Sequence, residues 1–307
     1  MSLAEAMSLP PEVELVVATA LGLIFGSFAN VCIHRLPEGR SVVWPGSACP
    51  RCGRMIAWYD NIPVLSWLLL RGRCRGCAAP IPAQYPLVEA VCGALLLGLC
   101  LQHGLTWRWA ALSWMAISIV VLVPIDRRHG ILPDRVTLPG IGAGLGFSLL
   151  ADEPTPAGAL RGALIGALVP LGIRSLYIVY VRARERLHSA PPVPAAADMA
   201  PGQTAPADTA ADLGPESSPH REGMGLGDVK MLAMVGAFLG APLTLLTMLL
   251  GSILGTVYVL PLLATGRHGM KTPLPFGPFL GVAALVAAFW GDEILRWYVN
   301  LVLPGAS

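Results

Sequence analysis

Six residues carry the types and spacing that could do chemistry. Cys49-Pro-Arg-Cys52 and Cys74-Arg-Gly-Cys77 repeat one pattern, with 21 residues between the two pairs. Two residues between thiolates let both sulfurs reach one ion, and small or turn-forming neighbours such as Gly53 and Gly76 let the backbone wrap around it. Two such knuckles complete a tetrahedral site, so Cys49, Cys52, Cys74 and Cys77 predict a structural zinc. A catalytic zinc is not expected, because four Cys ligands leave no open position. The competing reading, a pair of disulfides, needs an oxidising compartment.

The second chemistry rests on Asp126, in Pro124-Ile125-Asp126, and Asp228, in Gly223-Met224-Gly225-Leu226-Gly227-Asp228-Val229-Lys230. An acid at the centre of a membrane helix costs roughly 2.5 to 3.5 kcal/mol, so carboxylates at the edges of apolar stretches are candidates for function. Two carboxylates that meet share one proton. One then takes a proton from water while the other polarises a carbonyl, the division of labour in an aspartyl protease. The plainer alternatives are an Asp126 paired with Arg127 or Arg128 and an Asp228 that caps its helix. Glu89 offers a third acid, or a carboxylate paired with an Arg. Lys230 is a candidate partner for Asp228, and Asp134, after Leu132-Pro133, is a candidate helix cap.

The elements that must hold these residues are set by composition. Of 307 residues, 54% are hydrophobic and 13% charged, against roughly 25% charged in soluble proteins. Mean hydropathy is +0.63. An ordinary soluble protein is excluded, and so is a disordered chain, which needs low hydrophobicity and high net charge; the formal charge here is +2. The class is an all-α polytopic membrane protein with about eight transmembrane helices and a small zinc-knuckle domain between the first two. The apolar stretches run from Leu15 to Ile33, Tyr85 to Leu101, Trp109 to Ile125, Val136 to Leu150, Gly158 to Val181, Val229 to Leu239, Thr244 to Ala264 and Phe279 to Trp290. Those starting at Val136, Val229 and Phe279 are short and glycine-rich, which predicts short, tilted or broken helices shielded by neighbours.

Glu5, Glu12 and Glu14 precede the first stretch in place of a basic region, so it reads as a retained helix and not a signal peptide. Sixteen of the 21 Lys and Arg fall in alternate loops, those beginning at His34, Asp126, Arg182 and Thr265. Basic loops stay in the cytoplasm. This predicts an N-terminus outside, with the zinc domain and both aspartates on the cytoplasmic side, where disulfides rarely persist. The expected organisation is residues 1–33 as N-terminal segment and first helix, 34–84 as the zinc domain, and 85–307 as the membrane domain. Residues 34–84 are too few for a sizeable core and need a metal staple. Residues 189–219, without an aromatic and rich in Ala and Pro, form a flexible insertion. Cys32, Cys92 and Cys100 read as small core residues.

The chain resembles the bacterial type IV prepilin peptidases, the GxGD-type membrane aspartyl proteases that process pilin and type II secretion pseudopilin precursors. Six fragments carry the resemblance in the family's order: Phe25 to Val31 with Arg35-Leu36-Pro37, the two Cys knuckles, Gln84 to Glu89, Ile125-Asp126 with Leu132-Pro133-Asp134 and Thr137-Leu138-Pro139, Gly223 to Lys230, and Pro275 to Phe279. The resemblance implies that Asp126 and Asp228 are the catalytic pair. It also implies a bacterial inner membrane location and two reactions, cleavage of a short basic leader and N-methylation of the new terminus from S-adenosylmethionine. A prepilin's leader is cytoplasmic and the segment after it an apolar helix, so the scissile bond would lie at the cytoplasmic interface. Partners are the precursors and the lipid bilayer, with no nucleic acid. Arg128 departs from a family pattern that often has a second Asp there, and the 189–219 insertion is longer than the family leads one to expect. Two other readings stay open from the residues: a peptidase without methyl transfer, and a transporter using Asp126 and Asp228 as ion-coupling acids.

Overall fold

The computed structural model describes residues 10–188, 225–265 and 275–302. The predicted insertion 189–219, with Gly223 and Met224 of the glycine-rich motif, lies outside them. Eight long helices occur among the described residues: α1 (Pro11–Arg35), α2 (Gln84–His103), α3 (Trp107–His129), α4 (Asp134–Phe147), α5 (Pro156–His188), α6 (Leu226–Leu239), α7 (Ala241–Ala264) and α8 (Gly277–Val302). They match the eight apolar stretches in order, and six are long and apolar enough to cross a membrane. The two exceptions, α4 and α6, have 14 residues each, about 21 Å at 1.5 Å per residue, against a hydrocarbon core of about 30 Å. The last helix is longer than the apolar stretch predicts. It continues for 26 residues because Asp292, Glu293 and Arg296 sit on its exposed face.

The described residues divide into two compact units, one of residues up to Leu168 together with those from Leu226 onward, the other from Val169 to Gly225. The described part of the second is the latter portion of α5, where Leu176, Val179 and Tyr180 are exposed apolar side chains.

In the first unit α3 is central, lying against α1, α2, α4, α6 and α8. Its start is capped by the Thr106 hydroxyl, which accepts from the Trp109 N–H at 3.1 Å. Its end is closed by Gly130 in the left-handed region (φ +64°), whose N–H donates to the Asp126 carbonyl at 2.8 Å. That cap fixes the turn carrying Asp126. Short as it is, α6 is almost wholly buried from Asp228 to Leu239, so its neighbours and not lipid satisfy its surroundings.

Association of helices in lipid gains little from apolar burial and depends on close backbone approach over small residues. Gly22 and Gly26 of α1 lie on the backbone of Cys92 and Glu89 in α2, where an added Cβ would sit 2.6 Å from main-chain atoms at each position. Gly162 of α5 and Gly236 of α6 face one another across a similarly tight crossing. Replacing Gly236 with alanine drives a methyl into the Gly162 carbonyl and is expected to cost about 1 to 3 kcal/mol. This is read as a lowered thermal midpoint of the purified protein in detergent. Gly146→Ala, whose methyl meets nothing within 4 Å, leaves that midpoint unchanged.

Candidate active site

Asp126 lies in the last turn of α3 and Asp228 in the first turn of α6, and both are buried, 6% and 8% exposed. Their helices meet a third, α8, over Gly281. A Cβ at Gly281 would lie 2.6 Å from Val123 and 3.0 Å from Ile119 of α3, and 3.5 Å from Met231 of α6. Asp126 follows Val123 by three residues, Asp228 precedes Met231 by three, and Gly277 precedes Gly281 by four. One helical turn along, therefore, both aspartates stand at the same end of the same three-helix junction, beside the start of α8. Gly227, next to Asp228, packs on Leu132 in the turn that follows α3, with its Cβ position 3.0 Å from that side chain.

The backbone of Gly277 closes on Asp126. Its N–H donates to the carboxylate, and a Cβ at this position would lie 2.5 Å from Oδ2. Asp126 Oδ2 is buried and has no hydrogen-bond partner among the described residues. A buried acceptor left without a partner costs about 1 to 3 kcal/mol.

The neighbouring charges differ from the expected pairings. Lys230 donates to Asp134 Oδ1 at 2.6 Å, tying the start of α6 to the start of α4. Asp134 makes no cap; the N-cap of α4 is Pro133. Arg128 reaches across to Gln84 Oε1 at the start of α2 and so is directed away from Asp126. Glu89 is buried, 8% exposed, and pairs with no Arg among the described residues. It accepts from the Val64 N–H at 2.7 Å and from the Ser27 hydroxyl of α1. The residue it holds, Val64, has φ +61°, a conformation a β-branched side chain adopts only under external restraint.

The four knuckle sulfurs converge. The Sγ atoms of Cys49, Cys52, Cys74 and Cys77 all lie within 4.8 Å of one another, and Cys49 and Cys77 are 3.8 Å apart. Zinc–sulfur bonds of about 2.3 Å in a tetrahedron put neighbouring sulfurs about 3.8 Å apart, so this donor set fits zinc. Each knuckle is locally built: Cys49 N–H donates to Arg54 O at 2.9 Å and Cys74 N–H to Ala79 O at 2.8 Å. Backbone N–H groups of Cys52 and Arg51 draw the Cys49 thiol down to about 6. Cys77 stands at about 11 although an Ala79 N–H pulls it down, because desolvation and the three neighbouring sulfurs oppose another negative charge. A dication resolves that conflict. Asp60 and Arg75 brace the second knuckle with a bidentate ion pair, 2.7 Å at its shortest. Cys32, Cys92 and Cys100 are buried free thiols, as expected of core residues.

Two contacts escape sequence reasoning. Gly277 is visible only as part of Pro-Phe-Gly-Pro, a turn signal without a target. Glu89 is visible as an acid in an apolar stretch, a signal that names no partner.

The chain matches the bacterial peptidase A24 N-terminal domain over residues 20–103 and the type IV leader peptidase family over residues 109–260. The prepilin leader peptidase/N-methyltransferase of Aeromonas salmonicida is 35% identical, covering 92% of each chain. That of Pseudomonas aeruginosa is 33% identical over 98% of each, and that of Myxococcus xanthus 38% identical over 82% of this chain and 64% of its own length. No solved structure matches. With relatives aligned through both the cysteine knuckles and the two aspartates' helices, the chain belongs to the type IV leader peptidase family.

Proposed function

We propose that this chain is a multi-pass inner-membrane enzyme that removes the leader of type IV prepilins or pseudopilins and then methylates the new amino terminus, with Asp126 and Asp228 as its hydrolytic pair. The observation that carries the assignment is the three-helix junction over Gly281, which puts the buried Asp126 and Asp228 at one end beside Gly277. Both acids belong to terminal helical turns. For Asp126, at the last turn of the 23-residue α3, that position suits a peptidase acting at the end of a bilayer helix. The basic loops support a cytoplasmic site with the N-terminus outside.

In hydrolysis one carboxylate takes a proton from water as the water oxygen bonds to the scissile carbonyl carbon, while the other, protonated, hydrogen-bonds the carbonyl oxygen. The tetrahedral species then breaks its C–N bond, and the first acid returns its proton to the departing amine. Gly277 contributes by position: its N–H orients the Asp126 carboxylate, and its lack of a side chain keeps Oδ2 clear. Cys49, Cys52, Cys74 and Cys77 would hold zinc as a covalent cross-link for residues 34–84, with no open coordination position for a substrate. Methyl transfer forms an N–C bond at the freed, neutral amine as the S–CH3 bond of S-adenosylmethionine breaks, so that the donor, a second substrate, leaves as S-adenosylhomocysteine and the methylated amine gives up a proton to water.

Asp126→Asn and Asp228→Asn are each expected to lower precursor cleavage by about 10³-fold or more, measured on a purified precursor, while methylation of an already cleaved substrate persists. Full cleavage by either variant overturns the pairing. Gly277→Ala, whose methyl would collide with Asp126 Oδ2, is expected to lower kcat by about 10²-fold with the protein still folded by thermal scan. Metal analysis is expected to find one zinc per chain, lost in Cys49→Ser or Cys74→Ser together with protease resistance of residues 34–84.

A further inference from the structure

Part of the cysteine-rich segment is built inside out. Leu65–Leu69 forms a single helical turn, and Leu65, Leu68 and Leu69, spaced to share one face of it, are 48%, 58% and 74% exposed. The polar residue is the one inside. Ser66 is 6% exposed, accepts from the Ile62 N–H at 3.0 Å and donates to Tyr59 O at 2.9 Å. Trp67 is held on the same side, its ring against Gly72 and its indole N–H donating to Ile81 O at 3.1 Å. These bonds fix which face is turned out. A helix in water has the opposite arrangement, so the leucine face suits an apolar surrounding.

Depth and charge choose what that surrounding is. Val64, the residue before the turn, donates its N–H to Glu89 of α2 at 2.7 Å, and Glu89 accepts from Ser27 of α1 as well. Counted at 1.5 Å per residue, Glu89 lies about 8 Å in from the start of α2 and Ser27 about 12 Å in from the end of α1. The leucines therefore begin short of both helix ends, where hydrocarbon gives way to headgroups. Arg71 and Arg73 follow at once, both exposed and without an ion pair among the described residues. Residues 34–84 carry seven arginines against two acids, Glu38 and Asp60, and both acids are already paired, with Arg40 and Arg75. The surplus is positive. A basic leader, or the same face of a second copy, would meet like charge here, whereas an anionic leaflet meets the opposite charge.

We propose that the turn Leu65–Leu69 is a lipid anchor. Leu65, Leu68 and Leu69 enter the acyl boundary of the leaflet at the end of α1 and the start of α2, and Arg71 and Arg73 bind the phosphates of its anionic phospholipids. The cysteine-rich segment is then fastened twice, by Glu89 from the bundle and by the leucines from the lipid. The anchor depends on the membrane placement of the helices and not on the reaction that the acids catalyse.

The test places a fluorescent amino acid at position 69, and in separate variants at 68 and 38, of the full chain in nanodiscs of phosphatidylcholine and phosphatidylglycerol. Each is quenched by nitroxide-bearing lipid and, from water, by acrylamide. Glu38, exposed in its pair with Arg40, is the aqueous reference. The ratio of lipid to acrylamide quenching at 68 and 69 is expected to exceed that at 38 by about fivefold or more. Exchanging phosphatidylglycerol for phosphatidylcholine, or combining Arg71→Gln with Arg73→Gln, is expected to lower the ratio at 69 by about twofold or more, with the thermal midpoint unchanged. A ratio at 68 and 69 equal to that at 38, as a solvated face would give, overturns the proposal. So does protection from both quenchers, as a face covered by a second copy or another protein would give. A ratio at 69 indifferent to phosphatidylglycerol and to both arginines overturns the binding of headgroup phosphates.

Discussion

A carboxyl group enclosed in an apolar helix bundle is costly unless something solvates it, and the enclosure of Asp126 by the backbone of Gly277 is the contact around which the membrane part of this protein is arranged. It demands three things at once. The end of α3 must be rigid, which the Gly130 cap on the Asp126 carbonyl provides. The start of α8 must approach as bare main chain, which a glycine at 277 allows and any Cβ forbids. The start of α6 must come to the same end of the junction, which Gly281 of α8 allows by leaving room for Val123 of α3 and Met231 of α6.

The two helices too short to span a bilayer follow from this demand. The short α6 begins at the junction end where α3 finishes, with Gly227 packed on Leu132 in the turn after α3. A short helix there exposes its ends at depths where lipid offers no hydrogen bonds. The structure answers by burying α6 among α3, α4, α7 and α8 and by bringing α5 onto it through paired glycines. Lys230 and Asp134 join the starts of α6 and α4, so both short helices are anchored at the end where the acids lie.

The cysteine-rich segment is coupled to the same bundle by side chains, beyond its covalent continuity with α1 and α2. Glu89 reaches out of α2 to take the Val64 N–H, holding that loop in a strained conformation, and Arg128, two residues from Asp126, holds Gln84 at the start of α2. A chain of contacts thus runs from Val64 of the cysteine-rich segment through α2 to the turn that carries Asp126. That continuity offers a physical route by which the cysteine-rich segment can hold the end of α3 in register.

What the sequence determined alone was whatever backbone stereochemistry decides within a few residues or composition decides over many. Two cysteines separated by two residues turn back on one ion, twenty apolar residues form a helix in lipid, and basic loops resist translocation, so the knuckles, the eight helices and the class of protein were legible. The two aspartates were legible as candidates from their places at the edges of apolar stretches, and as the family's catalytic pair only through resemblance, because the 101 positions between them carry no local trace of where their helices pack. Only the tertiary structure decided that Lys230 goes to Asp134, that Glu89 holds Val64, and that Gly277 closes on Asp126. The reason is that these helices are apolar on nearly every side. Lipid and protein interior are alike in polarity, so no hydrophobic stripe marks the face that turns inward; which residues meet is settled by shape, where one missing Cβ admits a neighbour that a methyl would exclude.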